Sequence, residues 1–288
     1  MFLPHKILEE KLLKILAEDV GQGDVTTALI VPSEITAEAV VIAKHPGVVA
    51  GIEETAILLQ SLGLRVETLV QDGQKIHASQ KLMLIFGEAK TILSVERTLL
   101  NVLSRMSGIA TTTRNLVEKI QEAGLKTTIA CTRKTAPGLM YFDKKAVLIG
   151  GGDTHRLHLD DMILIKDNHI AIAGNIKKAV SKAVERASFS KKIEVEATNI
   201  EDALKAAEAG ADIVMLDNFS PQQAKKACSL LKKAKFPKRI LIEASGGINA
   251  ENIIEYASTG VDIVSLGEIT GSPKTLDINL EISKTNKK

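Results

Sequence analysis

The apolar positions near the start of the chain recur at the spacing of a helix. Leu8, Leu12 and Leu16 fall on one face. Lysine and glutamate residues interrupt this run, which therefore predicts a docked amphipathic helix and not a signal peptide. Apolar runs bounded by turn residues follow, and they predict a small sheet. Its strands are expected at residues 37–43, 65–70 and 81–89.

Between residues 91 and 123 the pattern is helical again. Val95, Leu99 and Met106 line one face, whereas Arg97 points away from it. Gly108 interrupts the pattern, so we expect it to separate one helix from the next.

After residue 125 short apolar runs alternate with helical stretches. At least six such runs are apolar on both faces and lie about 20–27 residues apart, which is typical of a parallel sheet wrapped in helices. No G-x-G-x-x-G sequence follows any of them, which removes the main support for a doubly wound dinucleotide-binding sheet. The predicted class is therefore α/β, with a full or irregular (β/α) barrel in the second part of the chain.

The composition of the chain argues against some classes of binding partner. Lys and Arg number 37 against 35 Asp and Glu, and aromatic residues make up 3% with no Trp. Neither value favours nucleic acid or an anionic membrane as a partner, and no run reaches the ~18 apolar residues of a membrane span. Cys131 and Cys228 cannot form a disulfide framework, so we expect a reducing cytoplasm. The terminal KTNKK is expected to be a solvated, frayed tail.

Chemically active residues follow the predicted barrel strands, and in (β/α) barrels these carboxyl ends carry the active site. They are Thr132, Arg133, Lys134, Lys166, Glu196, Asp217, Ser245, Gly246, Gly247, Gly267 and Glu268, with His155 and Arg156 in the loop before one of the strands.

The charges of this set indicate the ligand. Arg133, Lys134, His155, Arg156 and Lys166 are basic, and such groups converging on one pocket require a polyanion because packing them without one is costly.

Two acids and two loops complete the predicted site. Glu196 and Asp217 would accept ribose hydroxyls or hold Mg²⁺ through water. In barrels of this kind a phosphate often lies between the loops after the last two strands. Here those loops are Ser245–Gly247 and Leu266–Glu268. We therefore expect a phosphorylated sugar with further anionic groups as substrate.

Long sequence blocks resemble the quinolinate phosphoribosyltransferase family. They include GDVTT at 23–27, ERTLLNVLSRMSGIAT at 96–111, TRKTAPGL at 132–139 and GGGDTHRLHLDDMILIKDNH at 150–169, with EVEA, MLDNF, EASGGI and GVDIVSLG in order after them. The resemblance covers nearly the whole chain.

The resemblance implies a reaction and a domain organisation. Quinolinate and phosphoribosyl pyrophosphate would give nicotinate mononucleotide, pyrophosphate and CO₂, with Mg²⁺, in NAD biosynthesis. An N-terminal α/β sandwich domain would occupy residues 1–108, completed by about 270–288, and an irregular α/β barrel would occupy 109–269.

The resemblance also implies roles for individual residues. Arg97, Arg133, Lys134, His155, Arg156 and Lys166 would contact the quinolinate carboxylates or the phosphates. Lys134, Lys166, Glu196 and Asp217 would be catalytic, the two acids serving the ribose and the metal. Ser245, Gly246, Gly247, Leu266, Gly267 and Glu268 would form the phosphate loops. Arg97 would cross a two-fold interface and complete the site of the partner subunit in a homodimer.

Several positions depart from the family pattern. Cys131 stands where the family often has Asp before the TRK triplet, and Ala244 where it commonly has Ser. The last loop ends in Glu268-Ile269-Thr270-Gly271-Ser272 in place of the usual Ala-Leu-Thr-His-Ser. Its phosphate contacts are therefore left open.

Three other functions remain to be distinguished. A class I Schiff-base lyase would use Lys166 as its nucleophile. A molybdenum-associated paralogue shares the TRKT and HRL blocks, and a phosphate-binding barrel without catalytic activity would share the loops.

Overall fold

The computed structural model describes residues 3–287, which form two compact units. The first comprises the residues up to Arg114, Tyr141–Gly151 and the chain from Pro273 onward. The second comprises Asn115–Met140 and Gly152–Ser272. The domain ranges expected from the sequence remain a prediction; the compact units place the 141–151 segment with the first unit.

The helices and strands follow one another in this order along the chain: α1 (His5–Val20), α2 (Val25–Ile30), β1 (Ile35–Ala43), β2 (Gly47–Val48), α3 (Ile52–Ser61), β3 (Arg65–Thr68), β4 (Lys75–Ile76), β5 (Lys81–Glu88), α4 (Ala89–Glu122), β6 (Thr128–Cys131), α5 (Met140–Gly150), β7 (Ile163–Ile165), α6 (Asp167–Ala173), α7 (Ile176–Arg186), β8 (Ile193–Ala197), α8 (Ile200–Glu208), β9 (Ile213–Asp217), α9 (Pro221–Lys233), β10 (Leu241–Ser245), α10 (Ile253–Ala257), β11 (Ile263–Leu266), α11 (Glu268–Gly271) and β12 (Ile278–Lys287). None of the helices in this part of the chain is long and apolar enough to cross a membrane.

The first unit is built on a four-stranded sheet in the order β12-β1-β5-β3. Its neighbouring strands are antiparallel, and three of them lie where the apolar runs predicted strands. Helix α1 buries Leu8, Leu12 and Leu16, which confirms the predicted amphipathic helix.

Two local predictions in this unit are wrong. Helix α4 continues through Gly108 without a break; a Cβ at this position would lie 1.9 Å from the carbonyl oxygen of Lys274. The glycine therefore permits a close approach of two backbones and does not end a helix. Residues 284–287 of the tail belong to β12, where Lys287 pairs with Ile35, so they form a strand that is exposed to solvent but not frayed; Lys288 lies outside the described residues.

The second unit contains a six-stranded parallel sheet in the order β6-β11-β10-β9-β8-β7. Each neighbouring pair is parallel, and helices connect the strands along the chain. The α/β class with an N-terminal sheet domain is therefore confirmed. Because β6 and β7 are the two ends of this strand order, the strands make an open, irregular barrel.

Helix caps in the second unit follow the sequence signals. Asn199 accepts a hydrogen bond from the backbone N–H of Asp202 at the start of α8. Ser220 and Gln223 form a reciprocal capping box at the start of α9, with Pro221 as its first residue. These caps fix where each helix begins, and thereby the loops that follow β8 and β9.

Candidate active site

A cavity of about 1060 Å³ lies at the carboxyl ends of the parallel strands of the second unit. Most of the predicted site residues line it: Thr132, Arg133, Lys134, His155, Arg156, Lys166, Glu196, Asp217, Ser245, Gly246, Gly247, Gly267 and Glu268. Leu266 is buried in β11 and does not line it. Arg97 is an exposed residue of α4 in the first unit and is not among the described residues of the cavity wall.

Lys166 and Glu196 form an ion pair at the ends of β7 and β8. The Lys166 Nζ atom lies 2.5 Å from Glu196 Oε1, and the carboxylate is largely shielded from solvent. A Schiff-base nucleophile must be a free amine, whereas this Nζ is held in an ion pair with a carboxylate. The ion pair leaves the second oxygen of Glu196 available to another ligand.

The two arginines of the cavity raise its positive potential. Burial and the neighbouring Arg133 guanidinium lower the pKa of Arg156. Two guanidinium groups that disfavour each other's charge are stabilised by an anion between or beside them. Each planar fork can bind a carboxylate or phosphate through two parallel hydrogen bonds.

The loop that carries Arg133 and Lys134 is held from two sides. The Lys134 backbone N–H donates to Thr132 Oγ1 at 3.2 Å, and the hydroxyl of Thr270 on α11 donates to the Lys134 carbonyl at 2.9 Å. A Cβ at Gly267 would lie 3.0 Å from Lys134 Cδ. The short last loop therefore fixes Lys134 against the end of β11.

The Ser245–Gly247 loop has the conformation of an anion cradle. Gly246 and Gly247 both adopt positive φ, of 93° and 64°, which glycine reaches without strain. Helix α10 begins only at Ile253, five residues beyond Ile248. The backbone N–H groups of the loop, and not a helix end, would therefore face a bound phosphate.

One layer below this surface, the barrel interior is acidic. Side chains two residues apart on a strand share a face, so Glu194 lies beneath Glu196 on β8 and Glu243 beneath Ser245 on β10. Both lower carboxylates are fully buried. His155 Nε2 lies 3.2 Å from an oxygen of each.

His155 and the two glutamates interact as ionisable groups. The Arg156 backbone N–H donates to His155 Nδ1 at 2.9 Å. Burial lowers the pKa of His155, but Glu194 and Glu243 raise it to about 10. Burial likewise raises the pKa of Glu194 to about 7. His155 and Glu194 therefore hold their protons more tightly in the folded chain than in water.

His155 contacts the protein through both ring nitrogens: Nδ1 the Arg156 backbone, Nε2 the two glutamates. Its φ of 53° is also in the left-handed region, which a non-glycine residue adopts at a cost. These contacts orient the ring at the cavity wall, and its contact with a ligand stays a prediction.

Sequence reasoning did not single out Glu194 and Glu243, although a signal was present. Each is an acidic residue inside an otherwise apolar strand and two positions before a predicted site residue. The period of two places such a residue on the same face as the site. Asn218, Asn249 and Ser272 line the cavity as well.

Two family models of one enzyme match this chain, one in its N-terminal part and one in its C-terminal part. The family model described as quinolinate phosphoribosyl transferase, C-terminal domain, matches residues 109–281. The model described as the N-terminal domain of the same enzyme matches residues 24–107.

Individual relatives are similar over nearly their whole length. A probable nicotinate-nucleotide pyrophosphorylase [carboxylating] of Methanothermobacter thermautotrophicus is 44% identical, over 93% of this chain and 96% of its own. The rat nicotinate-nucleotide pyrophosphorylase [carboxylating] is 40% identical, over 88% of this chain and 85% of its own. The structure of the nicotinate-nucleotide pyrophosphorylase from Francisella tularensis superimposes with a TM-score of 0.87 at 38% identity, over 98% of both chains. The chain described here belongs to the quinolinate phosphoribosyl transferase family.

Proposed function

We infer that this protein is a phosphoribosyltransferase of NAD biosynthesis that converts quinolinate and phosphoribosyl pyrophosphate to nicotinate mononucleotide, pyrophosphate and CO₂. The observation that carries this inference is the cavity itself. It joins a cluster of basic side chains to two acids and a glycine loop at one end of the barrel. Membership of the family supports the same reaction.

The basic groups would bind the pyridine dicarboxylate and the phosphates. Arg133 and Arg156 have the fork geometry that two adjacent carboxylates need. Lys134 and Lys166 would act as point charges toward phosphate. The Ser245–Gly247 and Leu266–Glu268 loops would bind the 5′-phosphate through backbone N–H groups.

The two acids would act on the ribose. Departure of pyrophosphate leaves positive charge at C1 of the ribose, which Glu196 or Asp217 would stabilise. The ring nitrogen of quinolinate then bonds to C1. The resulting pyridinium accepts the electron pair left by CO₂, and the ring carbon takes up a proton. Positioning of both reactants by the arginines can supply roughly 7–11 kcal/mol of the barrier.

Glu196 and Asp217 also fit a divalent cation, which we propose is Mg²⁺. Both line the cavity, and carboxylate oxygens are the ligands that Mg²⁺ prefers, with water completing the shell. The free oxygen of Glu196 and the Asp217 carboxylate would hold it, directly or through water. Bound there, the cation would neutralise the charge of the leaving pyrophosphate.

One assay tests the function. Quinolinate labelled at its 2-carboxylate should release CO₂ only when phosphoribosyl pyrophosphate and a divalent cation are present. Release of CO₂ without phosphoribosyl pyrophosphate, or none with it, would overturn the assignment. Borohydride trapping with substrate would reveal a lyase that forms an imine on Lys166; we expect no covalent adduct, because Lys166 is paired with Glu196.

We further propose a homodimer in the cytoplasm, in which Arg97 completes the site of the partner subunit. The exposure of Arg97 on the polar side of α4 supports this role, and two cysteines kept as buried thiols suit a reducing compartment.

Mixed dimers test the role of Arg97. Arg97→Ala and Lys134→Ala should each be nearly inactive, but a hybrid dimer holds one intact site. Random mixing makes about half the dimers hybrids, so activity should return to roughly a quarter of wild type. Re-equilibrated mixtures as inactive as the two parents would rule out a contribution across the interface.

A further inference from the structure

Two non-glycine residues with left-handed backbone conformations lie at the cavity. Among the described residues, three other than glycine have positive φ: Ser79, His155 and Asn218. Two of the three line the cavity. A residue held in this region costs free energy, so its persistence indicates that the surroundings determine it strongly.

Asn218 contacts both neighbouring strand ends. Its Nδ2–H donates to Oδ2 of Asp217 at 3.0 Å, and its backbone N–H donates to the Ser245 carbonyl at 2.9 Å. Its φ of 57° turns the chain immediately after β9, which brings the amide back over the carboxylate that precedes it.

The Asn218 side chain also occupies the space next to Gly246. A Cβ at Gly246 would lie 2.2 Å from Asn218 Oδ1, closer than any two such atoms approach. The amide therefore lies directly between the Asp217 carboxylate and the glycine loop after β10. A single side chain joins the acid on one strand to the anion cradle on the next.

We propose that Asn218 is a positioning residue. Its amide fixes the Asp217 carboxylate by donating to Asp217 Oδ2, so that Asp217 Oδ1 faces the ribose or its cation. It also sets the distance between the Asp217 carboxylate and the Ser245–Gly247 loop. This inference rests on the proposed function. A carboxylate that rotates freely loses part of its stabilising effect on the ribose, because catalysis depends on prearranged charge.

The proposal predicts a selective effect. Asn218 contacts the groups assigned to phosphoribosyl pyrophosphate, and neither Arg133 nor Arg156 is among its hydrogen-bond partners in the described structure. Loss of its amide should therefore impair the use of phosphoribosyl pyrophosphate while quinolinate binding stays unchanged. A purely structural role would reduce both together.

Two variants separate the side chain from the backbone. Asn218→Gly keeps the left-handed conformation without strain and removes the amide. Asn218→Asp keeps the shape but replaces the donor with an oxygen that repels Asp217. We expect kcat/KM for phosphoribosyl pyrophosphate to fall about tenfold in Asn218→Gly and about a hundredfold in Asn218→Asp, with the quinolinate Kd from calorimetry within twofold of wild type.

Ser79→Gly is the matched control. Ser79 is an exposed residue of the first unit with a φ of 65°, so its replacement relieves the same backbone strain away from the cavity. It should leave both constants unchanged, and the thermal midpoints of both glycine variants should equal or exceed that of wild type.

The outcomes distinguish the two levels of inference. If the wild type does not turn over quinolinate with phosphoribosyl pyrophosphate, the proposed function fails. If the wild type is active but both Asn218 variants keep kcat/KM for phosphoribosyl pyrophosphate within twofold, the positioning role is wrong. It is equally wrong if quinolinate affinity and thermal midpoint fall in parallel with activity.

Discussion

Each unit of this protein buries charged side chains, but the two groups are balanced differently. In the first unit Arg105 binds both oxygens of the buried Asp143, at 2.7 and 2.9 Å. Lys145 lies 2.6 Å from the buried carboxylate of Glu54. In the second unit one imidazole, a weaker base, faces two fully buried carboxylates, Glu194 and Glu243, at 3.2 Å from each.

The two groups differ in role: the first stabilises the fold, and the second lies next to the cavity. A buried acid that is bound by a strong base is a structural pair, and removal of one partner is costly. A buried group with more acids than bases has raised pKa values and responds to charges that bind next to it. The second arrangement lies directly under the cavity, beside the arginines that would bind an anion.

The largest expected effects come from replacing the cavity residue Arg156 and, separately, the first-unit residue Arg105. Arg156→Ala should lower kcat/KM about a thousandfold, roughly 4 kcal/mol in the barrier. The free energy of unfolding should change little, because repulsion from Arg133 opposes the favourable charges of Glu194, Glu196 and Asp161 near Arg156. Arg105→Ala should instead lower the free energy of unfolding by about 3–5 kcal/mol, since Asp143 is left buried and unpaired.

Steady-state kinetics and urea denaturation on the same preparations measure both quantities. Below its denaturation midpoint, Arg105→Ala should retain the kcat of wild type. The contrast between the units would be lost if each variant lost activity and stability to the same extent.

A change of substrate sharpens the contrast further. If the cavity arginines recognise both carboxylates of quinolinate, nicotinate leaves one guanidinium without its partner. We expect kcat/KM for nicotinate to be at least about a hundredfold lower, near 2.7 kcal/mol. Equal values for the two acids would contradict this use of Arg133 and Arg156.

The raised pKa values of the buried cluster should affect how the free energy of unfolding depends on pH. The pKa values of His155 and Glu194 are raised in the folded state, to about 10 and about 7. A folded protein that binds a proton more tightly than the unfolded chain is stabilised below the unfolded-state pKa. This stabilisation is lost as pH rises through the folded-state values.

Wild type should therefore lose stability between about pH 4.5 and pH 10, with the Glu194 contribution lost up to about pH 7 and the His155 contribution up to about pH 10. Glu194→Gln, with one acid fewer, should lose about 1–3 kcal/mol less over that range. Urea denaturation at successive pH values measures the difference, with the exposed Glu185→Gln as control. If the free energy of unfolding depends on pH in the same way in wild type and Glu194→Gln, Glu194 does not contribute to the pH dependence.

The smallest effect is expected at Cys131. It is fully buried beside the cavity, and its Sγ lies 3.5 Å from the Thr154 carbonyl. The proposed reaction has no covalent step, and a serine hydroxyl can donate to the same carbonyl. Cys131→Ser should keep most of the activity; a loss above about a hundredfold would show that the thiol takes part.

Much of this molecule follows from local sequence. The period of apolar residues predicted α1, the strands of the first sheet and the alternation of strands and helices in the second unit. The residues that end those strands predicted most of the cavity wall, because the carboxyl ends of parallel strands meet at one side of the sheet. The caps at Asn199 and Ser220 depend only on neighbouring residues and were predictable for that reason.

What the tertiary structure alone decided depends on residues far apart in the chain. Gly108 resembles a helix break until Lys274 is found against it, and the charged tail becomes a strand because β1 offers it an edge to pair with. Glu194 and Glu243 become one cluster only when β8 and β10 bring them to His155. The sequence determined which side chains lie at the end of each strand. The packing of the barrel decided which ionisable groups interact, because such interactions depend on distances of a few ångströms between residues far apart in the chain.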